Sequence, residues 1–317
     1  MIVTYRCTSR CRHCLVASSP RRENRYIDAE SARSAFRAVK RRGCSAMHIG
    51  GGEPFLDPDG LVAVGNAARV EGVQIDYVET NSSWYHDPSS ARELLQRLQG
   101  AGISTLLVSI SPFHTEFVPF ARVRGVMDAC TRTGTSIFPW VESFLPDVSA
   151  LEETAIHSLE EHGGKEYIRT LPSRYWIHVG GRAVLAFQDV LPQVPLCNLP
   201  GTSAGCAEIM DTSHFHVDVE GNYIPGLCAG LAMRLADLDA ALSPEQYPLL
   251  TLLASSGPTR LLERAQRDHG FTPKKSYLNK CDLCLDIRRF LIGKVPGRYP
   301  ELGPAGFYAE LPLRAAG

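Results

Sequence analysis

Short apolar runs alternate with helix-period segments through the first half of the chain, at residues 1–5, 46–49, 74–79, 105–109, 136–141 and, with weaker patterning, 176–179. This alternation predicts about six strand–helix units around a parallel sheet. Local signals agree with it. Asp28 is placed to cap a helix over 29–41 that Gly43 stops, and Ser149-Ala150-Leu151-Glu152 has the capping-box pattern of a helix closed by Gly163-Gly164. After about residue 190, Pro192, Pro195, Pro200 and Gly201 crowd together. An alternating stretch from His214 to Val219 then leads into Glu220-Gly221-Asn222, which reads as a hairpin, and a helical segment over 255–269 precedes a last cysteine pair. The predicted organisation is a first domain over 1–190, a smaller domain over 191–295 and a C-terminal tail over 296–317.

A formal net charge of −1 gives no reason to expect nucleic acid or an anionic membrane as the main partner. No basic segment followed by an apolar stretch opens the chain, and no window offers about 18 uninterrupted apolar residues, so a cytoplasmic location is expected. Ten cysteines in such a chain are better explained by metal ligation or redox chemistry than by disulfides. Three fall within eight residues at the start and five lie between Cys197 and Cys284, with Cys44 and Cys130 scattered between.

The first group, Cys7-Thr8-Ser9-Arg10-Cys11-Arg12-His13-Cys14, is a Cys-x3-Cys-x2-Cys run directly after an apolar strand. Three thiolates so close can ligate three corners of a four-iron four-sulfur cluster and leave the fourth iron open. The alternative is a structural zinc knuckle, although structural zinc prefers four protein ligands. This run resembles the radical S-adenosylmethionine (SAM) superfamily. Gly51-Gly52-Glu53-Pro54, just after the second strand, is similar to that family's segment for the methionine amino group. The resemblance further implies that His13 lies beside the adenine, that Asn81 and Ser109 contact the ribose and carboxylate, and that Arg182, in Gly180-Gly181-Arg182-Ala183, pairs with the SAM carboxylate. Ser111-Pro112 departs from the Asp-Gly common at the fourth strand. The implied fold is α/β, a partial (β/α)6 radical SAM barrel with the cofactor at the C-terminal ends of the strands.

Cys206, Cys228, Cys281 and Cys284 form a second group, for which ligand identity alone allows zinc. The order of cysteine, glycine-containing hairpin, cysteine, long gap and Cys-x2-Cys resembles the Twitch subdomain, a truncated SPASM domain with one auxiliary four-iron four-sulfur cluster. This implies a small Twitch-like β-hairpin/helix domain. Cys197, nine residues before Cys206, is read as a buried thiol rather than as a replacement for one of the four ligands. The family's chemistry is reductive cleavage of SAM to a 5′-deoxyadenosyl radical that takes hydrogen from a substrate, and the auxiliary cluster suits an oxidative outcome, a dehydrogenation or cross-link. His114 and Glu116, on a loop after the fourth strand, are better placed to accept a proton than Glu142, His214 or His216. The expected partners are an electron donor such as flavodoxin or ferredoxin and a small-molecule or peptide substrate; the start of the chain only six residues before Cys7 favours a small molecule or a peptide delivered by another protein. The rival reading is a non-catalytic iron–sulfur or zinc protein that carries electrons.

Overall fold

A computed structural model describes residues 1–312. The chain divides into two units. The first comprises Met1–Cys11, Ser18–Tyr167 and Val217–Gly221; the second comprises Arg12–Ala17, Ile168–His216 and the chain from Asn222 onward.

In the first unit, β1 (Ile2–Thr4), β2 (Ala46–Gly51), β3 (Gln74–Thr80), β4 (Thr105–Val108) and β5 (Ser136–Pro139) form one sheet in sequential order. Every neighbouring pair is parallel. Parallel neighbours need long crossovers, and helices α1 (Ala29–Arg41), α2 (Pro58–Glu71), α3 (Pro88–Gly100) and α4 (Phe120–Thr133) supply them. Asp28, Asp57 and Asp87 each accept a backbone N–H in the first turn of α1, α2 and α3, and Pro58 and Pro88 stand where no helical N–H is lost. The core is built across the strands in register. Ile49, Val78 and Leu106 are opposite one another on β2, β3 and β4, and all are fully buried. Each such side chain contributes about 1.5–3 kcal/mol by leaving water.

Two expectations fail here. The sixth strand over 176–179 does not form. Its alternating Trp-Ile-His-Val finds no neighbouring strand, Trp176 stays 76% exposed, and the sheet has five strands rather than six. The capping-box helix after Ser149 is also missing, because Glu152 turns its carboxylate onto the Thr154 N–H (2.9 Å) and closes a local turn instead. Gly164 therefore begins a helix, α5 (Gly164–Arg174), rather than ending one.

The hairpin read from the sequence forms with a third strand: β7 (Asn222–Pro225) lies between β6 (Phe215–Val217), whose last residue belongs to the first unit, and β8 (Met233–Arg234). Helix α6 (Pro248–His269) starts earlier than predicted and is interrupted at Gly257, whose φ of 74° leaves the helical region. Helix α7 (Lys280–Lys294) begins at the Asn279 cap. Leu249, Leu253, Leu261, Tyr277, Ile287 and Phe307 belong to the second unit's core. The predicted tail is thus partly core: a short helix, Ala305–Ala309, buries Phe307 and Tyr308. Residues 313–317 of that tail lie outside the described residues. Among the described residues no helix is long and apolar enough to cross a membrane.

Candidate active site and candidate metal centre

The C-terminal ends of β1, β2 and β3 meet in one hydrogen-bonded knot. Gly52 N–H donates to Thr4 O (2.7 Å) and Glu53 N–H to Arg6 O (3.0 Å), so β2 runs out beside the residues that lead into Cys7. A Cβ on Gly52 would overlap Arg6 O, and Gly51 has a φ of 127° that other residues rarely adopt. The glycines are required by this strand crossing, whatever ligand approaches them.

Glu53 is fully buried. Its carboxylate accepts from Asn81 N–H (2.7 Å), Thr80 Oγ1 (2.9 Å) and Phe55 N–H (3.2 Å), which fills about three of its four acceptor positions. Burial raises its pKa to about 7, although these hydrogen bonds pull downward. Asn81, also buried, points its amide at the cysteine loop. Its Nδ2 lies 3.5 Å from Cys7 Sγ, 3.0 Å from Thr8 Oγ1 and 3.2 Å from Ser9 Oγ. Glu53 thus grips the end of β3, and β3 in turn steadies Cys7. Thr8 and Ser9 belong to the site without having been singled out, since between two cysteines they carry no signal of their own.

Ser109, half-buried, donates its N–H to Thr80 O (2.9 Å) and ties β4 to β3 at the same edge. Just beyond, Pro112–Thr115 makes one helical turn carrying His114, with Glu116 at its end. Ser111 Oγ and His114 Nδ1 are 2.7 Å apart. Burial lowers the His114 pKa to about 4, so the imidazole is neutral near pH 7. Glu116 is half-buried.

In the second unit, Gly181 seats the chain around Cys14. A Cβ there would collide with the Leu15 and Cys14 carbonyls, and Arg182 N–H donates to Cys14 O (3.1 Å). The Arg182 guanidinium is 4% exposed and lies 3.8 Å from the Glu310 carboxylate, itself 6% exposed. Its charge is therefore already paired within the protein, by a residue the sequence had assigned to the tail. His13 is half-buried.

Cys206, Cys228, Cys281 and Cys284 line one cavity together with Lys280 and Arg288. Cys281 and Cys284 are three apart at the start of α7 and share a helix face. Cys206 precedes a one-turn helix and is held by its N–H on Leu253 O (2.9 Å); Cys228 follows β7, its N–H on Pro225 O (3.0 Å). Burial pushes the Cys206 thiol up to about 11 and Cys281 to about 12, with Cys228 higher still, and the neighbouring thiols add to each shift. Thiols that repel one another's ionisation in this way face a common space, and a bound cation would reverse the effect by drawing off their protons. Among the described residues no three His, Cys, Asp or Glu side chains form a site for a single ion. A four-iron cluster instead takes each thiolate on a separate iron. Cys197 is exposed, not buried as predicted, and is not among the lining residues.

Residues 1–132 match the sequence model of the Radical SAM superfamily. Over these residues the chain is similar to that superfamily. Curated relatives include Molybdenum cofactor biosynthesis protein 1 of Bos taurus, 27% identical over 123 residues, 37% of this chain and 18% of the relative. A probable GTP 3′,8-cyclase of Pyrobaculum aerophilum is 28% identical over 131 residues, 41% of this chain and 39% of that protein. The match thus spans well under half the length of these relatives. Among solved structures, native anSMEcpe with bound AdoMet aligns over 92% of this chain and 95% of its own at 13% identity and a TM-score of 0.43. SuiB of Streptococcus suis bound to S-adenosylmethionine aligns over 80% of this chain and 64% of its own at 12% identity and a TM-score of 0.35.

The similarity over residues 1–132 implies one four-iron four-sulfur cluster and SAM. The donor set suits it: soft thiolates from Cys7 and Cys11 leave the end of β1, and Cys14 completes the spacing.

Proposed function

We propose that the chain is a radical SAM enzyme with a second cluster at its four-cysteine cavity, and that it oxidises a small molecule or a peptide. The observation that carries the reading is the knot at the strand ends, where Asn81, fixed through Glu53, holds its amide against Cys7. Ligands of open parallel sheets collect at this edge. When bound, a reduced cluster would supply the electron that splits SAM into methionine and a 5′-deoxyadenosyl radical.

The chain's own contribution is positional. Cys7, Cys11 and Cys14 provide three thiolates and leave an open iron; Gly51 and Gly52 bring the backbone close to where the amino acid part of SAM would sit. Asn81 ties the end of β3 to the cysteine loop and Ser109 ties β4 to β3, and His13 is offered to the adenine. Arg182, buried beside Glu310, is the guanidinium offered to the SAM carboxylate. His114, neutral near pH 7, can accept the proton that leaves an oxidised substrate, with Glu116 as the alternative. Cys206, Cys228, Cys281 and Cys284 would occupy all four irons of the second cluster, which suits it to accept an electron rather than to bind substrate. A flavodoxin- or ferredoxin-like donor would supply the first electron.

The test is chromatography of SAM incubated with anaerobically reconstituted, reduced protein. The expected products are 5′-deoxyadenosine and methionine, lost when Cys7, Cys11 and Cys14 are replaced together by Ala. Unchanged SAM, or equal cleavage by the triple variant, would leave the non-catalytic electron carrier as the better reading.

A further inference from the structure

Among the described residues no carboxylate balances the buried cation of Arg288. It is 6% exposed and lines the cavity of the four cysteines. Its Nη1 donates to Ala229 O (2.9 Å) and to Tyr308 Oη (3.2 Å), and Tyr308 Oη donates onward to Gly230 O (2.6 Å). These bonds fix the plane of the guanidinium. Its Nε is buried and has no hydrogen-bond partner among the described residues. A charge taken out of water costs several kcal/mol unless something compensates it, and two neutral oxygens do not. Lys280, the other cation lining the cavity, differs in this respect, because it pairs with Glu208 at 2.8 Å.

We propose that Arg288 is a positioning residue for the second cluster, giving its Nε–H to a sulfur of that cluster and raising the cluster's reduction potential. The inference rests on the reading of the cavity as a cluster site. Four thiolates around a four-iron core carry net negative charge, and that is what the uncompensated guanidinium lacks. Accepting one electron adds one more negative charge to the site without moving a proton or breaking a bond. A fixed cation and a hydrogen bond to sulfur both favour that more negative state, so Arg288 makes the site a better electron acceptor.

The experiment is a potentiometric titration of the full, anaerobically reconstituted chain followed by electron paramagnetic resonance, with iron and zinc counted in each sample. Arg288→Gln keeps a planar polar group and removes the charge; Arg288→Lys keeps the charge. In Arg288→Gln the second cluster should become harder to reduce by at least tenfold in its reduced-to-oxidised ratio at a fixed potential, about 59 mV for one electron. The first cluster should not shift, and Arg288→Lys should lie closer to the wild type. An unshifted second cluster in Arg288→Gln overturns the proposal. Where that variant loses its iron or its fold, the wild type labelled with 15N-arginine decides: electron–nuclear double resonance should find a nitrogen coupled to the reduced second cluster, and none overturns the proposal. Zinc in the wild-type cavity would overturn the cluster reading itself, a failure the metal count separates from an unshifted potential.

Discussion

Glu53 carries three hydrogen bonds on a fully buried carboxylate, and burial still wins, moving its pKa from 4.5 in the open chain to about 7 in the fold. The folded state thus holds a proton that the unfolded state has lost between those values. Its stabilising contribution is complete below about pH 4.5, declines as the pH rises and is gone above about 7; at 1.36 kcal/mol per pH unit the window is worth roughly 3 kcal/mol. In the cluster-free protein Glu53→Gln should remove this decline. Denaturant unfolding across that range checks it, and parallel pH profiles for variant and wild type would count against the assignment. At this scale the sequence was informative wherever chemistry is local: Cys7, Gly52 and Glu53 stand together in the chain or at successive strand ends. The Arg182–Glu310 pair, 128 positions apart, was not legible, because neither residue carries a pattern that announces the contact. Arg288 was missed for the same reason, since an arginine four residues after Cys284 looks like any other helical arginine.

Among the elements, the crossing of β1 and β2 is the most exacting. A methyl group on Gly52 would meet the backbone oxygen of Arg6, which cannot swing aside as a side chain would. Gly52→Ala should cost about 1–3 kcal/mol or more and loosen the loop that begins at Cys7. Gly100→Ala, at the end of α3 with open space around it, should be neutral or stabilising by up to about 1 kcal/mol. Thermal unfolding with iron retention separates the two; a Gly52→Ala protein that unfolds and binds iron like the wild type would show that the crossing tolerates the change. The five strands were legible because each is a short apolar run between helices that force it parallel. The segment 176–179 shares the alternation, but a strand also needs a neighbour to bond with, and periodicity does not supply one. Similarly, the four residues at Ser149–Glu152 satisfy a helix-start pattern and a side-chain turn equally well, and the turn forms.

For the whole molecule, the division into two units places Cys14 with the second and Cys7 with the first, a break that composition did not signal because it cuts inside the cysteine run rather than at a linker. The second cavity was legible as four cysteines with a hairpin between the first two, whereas the buried arginine that lines it with them was not. The central claim is that the Cys7, Cys11 and Cys14 thiolates hold a cluster whose open iron binds SAM. It is tested most directly in the Cys281→Ala, Cys284→Ala variant, in which only the first cluster should contribute to the resonance spectrum. That variant, anaerobically reconstituted and reduced, should keep about four irons per chain, and its electron paramagnetic resonance signal should change in shape when SAM is added; a four-iron signal that SAM leaves unaltered would contradict the account.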